Sequence, residues 1–327
     1  MSIRSSLDSL EIDTHNFPVL GHIHRFSPAL DSLLDPSARV EVLAAGFAWT
    51  EGPVWLRQSA TLLFSDIPRN TIFAWREASG VSPFLSPSGF TGILPYGREP
   101  GSNGLTLDPL GRLVACEHGD RRVSVLTADG GKMTLADQFE GKRLNSPNDC
   151  CFHPSGDLYF TDPPYGLPAQ FDDPRRELDF CGVYRVSPSR QISLLTAELS
   201  RPNGLAFSPN ASTLYVSNSD PDRAIWMAYP VNANGQLGPG RLFADLTREA
   251  ASQKGLPDGF KLDHSGHLFA TGPGGVSIFS PSGERLGLIE LGEACANVAW
   301  GGDGSTLYIC ADMYLCRIHT RTHGTLL

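Results

Sequence analysis

The chain of 327 residues contains no C-x-x-C pair, and its seven cysteines are an odd number. Neither a disulfide framework nor a thiolate metal site is therefore suggested. It also lacks a G-x-S-x-G elbow, an H-E-x-x-H helix and a Gly-rich phosphate loop, which leaves serine hydrolase and zinc protease readings without support. Positive charge is in short supply. Lys and Arg total 26 against 35 Asp and Glu, a formal net charge of −9, which argues against a protein that neutralises a nucleic-acid backbone. No apolar run approaches the ~20 residues of a membrane helix. Near the N-terminus Asp8, Glu11 and Asp13 interrupt anything resembling the apolar core of a signal peptide. The expectation is a soluble, cytoplasmic protein with no nucleic-acid or membrane partner, and no apolar seam that would declare an oligomeric state.

What the chain does have is glycine, proline and a repeat. Gly 34 and Pro 25 suit a meander with many tight turns. Six stretches open alike: Glu51-Gly-Pro-Val-Trp, Asn103-Gly-Leu-Thr-Leu, Asn148-Asp-Cys-Cys-Phe, Asn203-Gly-Leu-Ala-Phe, Asp258-Gly-Phe-Lys-Leu and Asn297-Val-Ala-Trp. Each begins with an oxygen-bearing side chain and runs into a strand. The openers lie 52, 45, 55, 55 and 39 residues apart, the period of β-propeller blades, each a four-stranded sheet around a central channel. The fold expected is all-β, a six-bladed propeller over 39–327. Blade six runs out of chain after three strands, and an N-terminal strand at 39–43 completes it, so closure removes the open edge. Residues 1–38 form an arm outside the repeat, with one short helix suggested by the spacing of Leu30, Leu33 and Leu34 before Pro36. Cys116 and Cys310 fall inside apolar strand runs and read as small buried hydrophobes.

Connection lengths separate the two faces of the ring. Inner strand to second strand is short and turn-rich, as in Asp108-Pro-Leu-Gly and His153-Pro-Ser-Gly. The long connections, 86–102, 163–182 and 246–257, share the opposite face with the six openers. Long irregular loops in a compact fold are commonly binding loops. Asn-Gly and Asp-Gly are also ordinary turn dipeptides, but turn propensity does not account for Glu51 at the equivalent place. A ring of carboxylate and amide oxygens without thiolate suits a hard divalent cation. Calcium comes first, then magnesium or manganese, with zinc less natural.

A second series sits at the second-strand ends: Asp66, Glu117, Asp162 and Asn218. These read either as further site groups or as caps of the loop backbone. His118, next to Glu117, is a candidate general base near neutral pH. Tyr165 could reach over the channel entrance. The mixed-charge run Asp172, Asp173, Arg175, Arg176 and Glu177 reads as a solvated face.

Glu51-Gly-Pro-Val-Trp with Leu63-Phe-Ser-Asp-Ile, Ser146-Pro-Asn-Asp, Tyr159-Phe-Thr-Asp-Pro-Pro-Tyr-Gly-Leu, Arg201-Pro-Asn-Gly-Leu-Ala-Phe-Ser and Pro257-Asp-Gly together resemble the gluconolactonase/regucalcin (senescence marker protein) family, from about Val40 to His319. The resemblance implies a metal-dependent hydrolase that opens sugar lactones such as glucono-1,5-lactone, with one divalent cation at the channel mouth. It implies Glu51, Asn203 and Asp258 as the metal ligands, with Asn148 and Asp149 close to substrate. Regucalcin-type members carry an Arg where this chain has Ser146, so the pattern is nearer the microbial gluconolactonase branch. On this reading Asp258 ligates the cation and accepts a proton from the attacking water, with His118 as the rival base. Asn103 and Asn148 donate amide hydrogens to substrate, and Glu117 and Tyr165 complete its contacts. Asn297 is read as structural. The alternatives are a propeller arylesterase or organophosphate hydrolase, and a binding propeller with no chemistry.

Overall fold

A computed structural model describes Asp13 and residues 19–325. Asp8 and Glu11, on which part of the N-terminal reading rests, lie outside the described residues. Six antiparallel sheets form the ring. Blade one is Thr50–Leu56, Thr61–Asp66, Thr71–Arg76 and Gly80–Leu85, and the next four repeat its meander. Blade six takes Cys295–Gly301, Thr306–Ala311 and Tyr314–His319 from the C-terminal end and Glu41–Ala45 from the N-terminal part. Val42 pairs with Cys316 and Ala45 with Tyr314, so the expected closing strand is present, two residues further along the chain.

The strands read as continuous apolar runs because both faces of every blade are buried. Leu62 and Phe64 join a cluster with Ala299 and Tyr308 of blade six. Leu63, between them, points the other way into a cluster with Leu105 and Ala115 of blade two. The period-2 alternation of a strand therefore sorts side chains between two neighbouring blades rather than between core and water. The buried clusters match the six blade-to-blade interfaces, one to each.

Three elements differ from the expected pattern. His22–Arg25 adds a fifth strand to blade five, pairing with Arg285–Glu290 along its outer edge. The expected short helix is a single 3-10 turn, Pro28–Ser32, with Ser27 as its N-cap and Pro28 in its first turn. Leu30, Leu33 and Leu34 are all buried, in the cluster shared by blades five and six. Hydrophobic spacing marked the right side chains, but five residues give one turn, too few for an α-helix to propagate. A small hairpin, Gln138–Phe139 with Lys142–Arg143, precedes blade three.

The inner strands are held to one another by a repeated latch. In four of the six blades the residue before the second-strand end is Ser or Thr, and its hydroxyl donates to a carbonyl of the next inner strand. Ser65 Oγ donates to Asn103 O at 2.9 Å, Thr161 Oγ1 to Asn203 O at 2.7 Å, and Ser217 Oγ to Asp258 O at 2.9 Å. Thr271 Oγ1 donates to Ala296 O at 3.0 Å. In blades two and six Cys116 and Cys310 stand at this position, both fully buried.

Glycine after an opener serves the same packing. A methyl group on Gly52 would lie 2.1 Å from Asn103 O, on Gly104 2.5 Å from Asp149 Oδ1, and on Gly204 2.4 Å from Asp258 O. On Gly259 it would fall 1.9 Å from Asn297 Cγ. Only Gly52 of these four has a left-handed backbone, with φ 52°. Three of the four are thus required for room rather than for a turn, which is why turn propensity was the wrong account of the Asn-Gly repeat.

Candidate active site

The openers converge at one mouth of the channel, and the structure treats them unequally. Glu51 is 2% exposed, and its Oε2 accepts from Gly52 N at 2.5 Å and from Asn297 Nδ2 at 3.2 Å. The same Asn297 amide donates to Asp149 Oδ2 at 3.4 Å. Asn297 therefore bridges two carboxyls from blades one and three. Asp149 occupies the place that glycine takes in blades one, two, four and five, and this substitution carries a third carboxyl into the ring beside Glu51 and Asp258.

Three carboxyls so close together, those of Glu51 and Asp149 buried and that of Asp258 half-buried, resist ionisation. Glu51 is pushed up to about 8, by burial first and by the Asp149 charge second. Asp149 is raised by burial, partly opposed by the Lys261 ammonium. Asp258 is raised well above its ordinary value by burial and then by Glu51 and Asp149. Desolvation and like charge act in the same direction here. A cation bound among these groups would offset both costs.

The amide groups supply the rest. Asn203 Nδ2 donates to Ser219 Oγ at 3.0 Å, and Ser219 Oγ in turn donates to Pro257 O. That relay fixes the nitrogen of Asn203 and leaves its carbonyl oxygen to face elsewhere. Buried oxygens without a hydrogen-bond partner mark the same region: Asn103 Oδ1, Asn148 Oδ1 and Asp258 Oδ1. Such atoms are rare in folded proteins and point to a ligand. Among the described residues no three His, Cys, Asp or Glu side chains are placed to hold an ion by themselves. A cation here would need amide oxygen as well.

Tyr165 lies over this cluster. Its hydroxyl donates to Ser219 O at 2.9 Å, and its ionisation is pushed up by burial and by Asp258. His118 is completely buried, with Nε2 3.2 Å from Asn103 Nδ2. Asn103 is thus turned with its nitrogen toward His118 and its free oxygen elsewhere, the reverse of the amide donor expected from the sequence. Ser146 is committed to a loop: its Oγ donates to Pro163 O at 2.6 Å and accepts from Gly166 N at 2.9 Å.

The second-strand ends resolve as caps. Asp66 accepts from Ala48 N and Trp49 N, Asp162 from Asn145 N and Ser146 N, and Asn218 from Arg201 N. Each holds the backbone just before an inner strand. Glu117 does a different structural task, accepting from Arg122 Nε at 2.6 Å, Ser124 Oγ at 2.5 Å and Lys132 Nζ at 2.9 Å. These donors belong to the outer strands of its own blade, and no contact brings Glu117 to the carboxyl cluster. Glu117→Ala is expected to destabilise the fold by about 3 kcal/mol, the cost of stranding two half-buried cations and a buried hydroxyl, measurable by chemical denaturation. The mixed-charge run is not simply solvated either. Asp173 is buried and holds Arg175, whose guanidinium lies 5.0 Å from the Tyr96 ring, tying loop 163–182 to loop 86–102.

A six-bladed ring whose mouth gathers carboxyl and amide oxygens under two long loops defines a class of propeller with an oxygen-lined site on its loop face. The comparisons place the chain within that class. The family model described as "SMP-30/Gluconolactonase/LRE-like region" matches residues 49–312. A gluconolactonase of Zymomonas mobilis is 44% identical over 94% of this chain and 89% of its own length. The solved structure of a Xanthomonas campestris gluconolactonase superposes with a TM-score of 0.80 at 31% identity, covering 94% of this chain and 98% of that one. Regucalcin from Oryctolagus cuniculus is 26% identical over 80% of this chain and 82% of its length. This chain belongs to the SMP-30/gluconolactonase/LRE-like family.

Proposed function

We propose that this protein hydrolyses sugar lactones, glucono-1,5-lactone or a related aldonolactone, at the channel mouth, with a divalent cation held by Glu51, Asn203 and Asp258. The observation that carries the reading is the convergence of Glu51, Asp149 and Asp258 with unpartnered Asn103, Asn148 and Asp258 oxygens. The kinship with gluconolactonases at 44% and 31% identity supplies the substrate class. Oxygen donors alone favour calcium, with magnesium and manganese next.

When bound, the cation would polarise the lactone carbonyl and acidify a water. The chain's own residues do the rest. Asp258 keeps one oxygen free of protein donors, so one oxygen can ligate while the other accepts the proton of the attacking water. Asn148 and Asp149, on the inner strand between Asn103 and Asn203, contact the sugar. Tyr165, held on Ser219, closes the mouth beside Asp258 and limits water around the reacting carbonyl. His118, enclosed on all sides and facing Asn103, is assigned to positioning rather than to proton transfer.

Purified protein is expected to carry close to one equivalent of divalent cation by elemental analysis. It should turn over gluconolactone in a pH-indicator assay, and a chelator should remove both metal and activity. Metal-free protein with full activity would overturn the cation's role. Absence of both metal and turnover would favour the binding propeller, and turnover of aryl esters alone would favour the esterase.

A further inference from the structure

Asn103 holds the most constrained free oxygen in the channel, and the constraint runs outward to a loop residue. Its Nδ2 can only donate, so His118 Nε2, 3.2 Å away, must accept. An imidazole that accepts at Nε2 carries its proton on Nδ1. Among the described residues no group stands within hydrogen-bond reach of Nδ1 except a longer-range carboxylate. Facing it at 3.5 Å is a carboxylate oxygen of Glu99, on loop 86–102. His118 itself is 0% exposed, and its backbone N–H donates to Gly101 O. On its other side a methyl group on Gly166 would fall 2.5 Å from His118 Cβ. The ring cannot turn away, so the position of its proton is the one freedom left.

We infer that Glu99 is a positioning residue: by holding the His118 proton on Nδ1, it fixes the amide of Asn103 with Oδ1 presented to the channel as a hydrogen-bond acceptor. With the opposite tautomer, Nε2–H would donate to Asn103, the amide would turn over, and the channel would see an NH2 group instead. The site would then lose an acceptor and gain a donor at one point. The ligand group that this acceptor selects is a hydroxyl. Under the lactonase reading, on which this part rests, it is a sugar hydroxyl rather than the reacting carbonyl. Glu99 would therefore act on recognition of polyhydroxylated substrates, through a proton that never reaches the substrate.

The test has a spectroscopic arm that needs no turnover. In protein labelled with 15N-histidine, two-bond 1H–15N correlation spectra are expected to show His118 as the Nδ1–H tautomer, and Glu99→Ala is expected to shift it toward Nε2–H. In assays, Glu99→Ala should raise KM for gluconolactone about tenfold, the worth of one hydrogen bond to a buried acceptor, with kcat within about twofold. A 1,5-lactone without hydroxyl groups should show no such change. Glu99→Gln, whose amide oxygen still accepts from Nδ1–H, should recover most of the loss. Adding Asn103→Asp to Glu99→Ala should recover it too, because a carboxylate presents an acceptor whichever way it faces. A wild-type Nε2–H tautomer, a tautomer indifferent to Glu99→Ala, or failure of both rescues would overturn the inference. If no lactone is turned over at all, the lactonase reading falls, while the two spectra still decide the role of Glu99.

Discussion

Replacing Asp258 with asparagine or alanine is expected to lower turnover of a sugar lactone about 10³-fold while leaving the propeller folded. Loss of a positioned proton acceptor alone is worth about 10² to 10⁴, and the same side chain is a proposed ligand of the cation. Stability should move the other way. Asp258 is raised by desolvation and by the neighbouring Glu51 and Asp149 carboxyls, so its removal relieves both a desolvation cost and a like-charge contact. The thermal midpoint of chelator-treated Asp258→Asn should therefore equal or exceed that of chelator-treated wild type. Added calcium should raise the wild-type midpoint and leave the variant almost unmoved, since a ligand stabilises only the state that binds it. Near-normal turnover of the variant with metal supplied would refute the assignment.

Gly259→Ala should have the largest effect on the fold. The added methyl would stand 1.9 Å from Asn297 Cγ and 2.1 Å from Asn297 Oδ1, and Asn297 has no room to retreat. It is 2% exposed, and its amide nitrogen is shared between Glu51 and Asp149. Its Oδ1 accepts from Val298 N at 2.9 Å. Either blade five separates from blade six, or Asn297 leaves and both carboxyls lose their shared donor. Overpacking costs roughly 1–3 kcal/mol, and an orphaned buried carboxyl adds about 1–3 kcal/mol more. A loss of at least about 3 kcal/mol by denaturant titration is expected, together with weakened cation binding. A variant with wild-type stability would show that the inner ring is looser than its contacts indicate.

The strands were legible in this chain because each carries its own local pattern. Thr61–Asp66, Thr71–Arg76, Arg122–Leu126, Arg241–Asp245 and Thr306–Ala311 fall where apolar runs and turn residues place them. Elements that owe their form to a distant partner were not legible. His22–Arg25 is a strand only because blade five offers it an edge, and nothing in His-Ile-His-Arg announces that. Asp173 reads as surface charge in the sequence and is buried under Arg175, whose guanidinium lies over Tyr96 of a distant loop.

The site divides along the same line. By itself the sequence determined the number of blades, the closing strand, the face that carries the openers, and the two carboxylates that depart from asparagine, Glu51 and Asp258. These follow from period, connection length and residue type, which are local properties. Only the tertiary structure decided which openers meet. Asn297 and Glu51 are 246 residues apart in sequence and 3.2 Å apart in space, joined because the ring closes between the first blade and the last. It also decided that Glu117 serves its own blade, that Asp149 adds a third carboxyl, and that Asn103 shows an oxygen rather than a nitrogen. The orientation of an amide depends on the neighbour its nitrogen finds, and here that neighbour is a buried histidine just past the end of the adjacent strand, held by a loop.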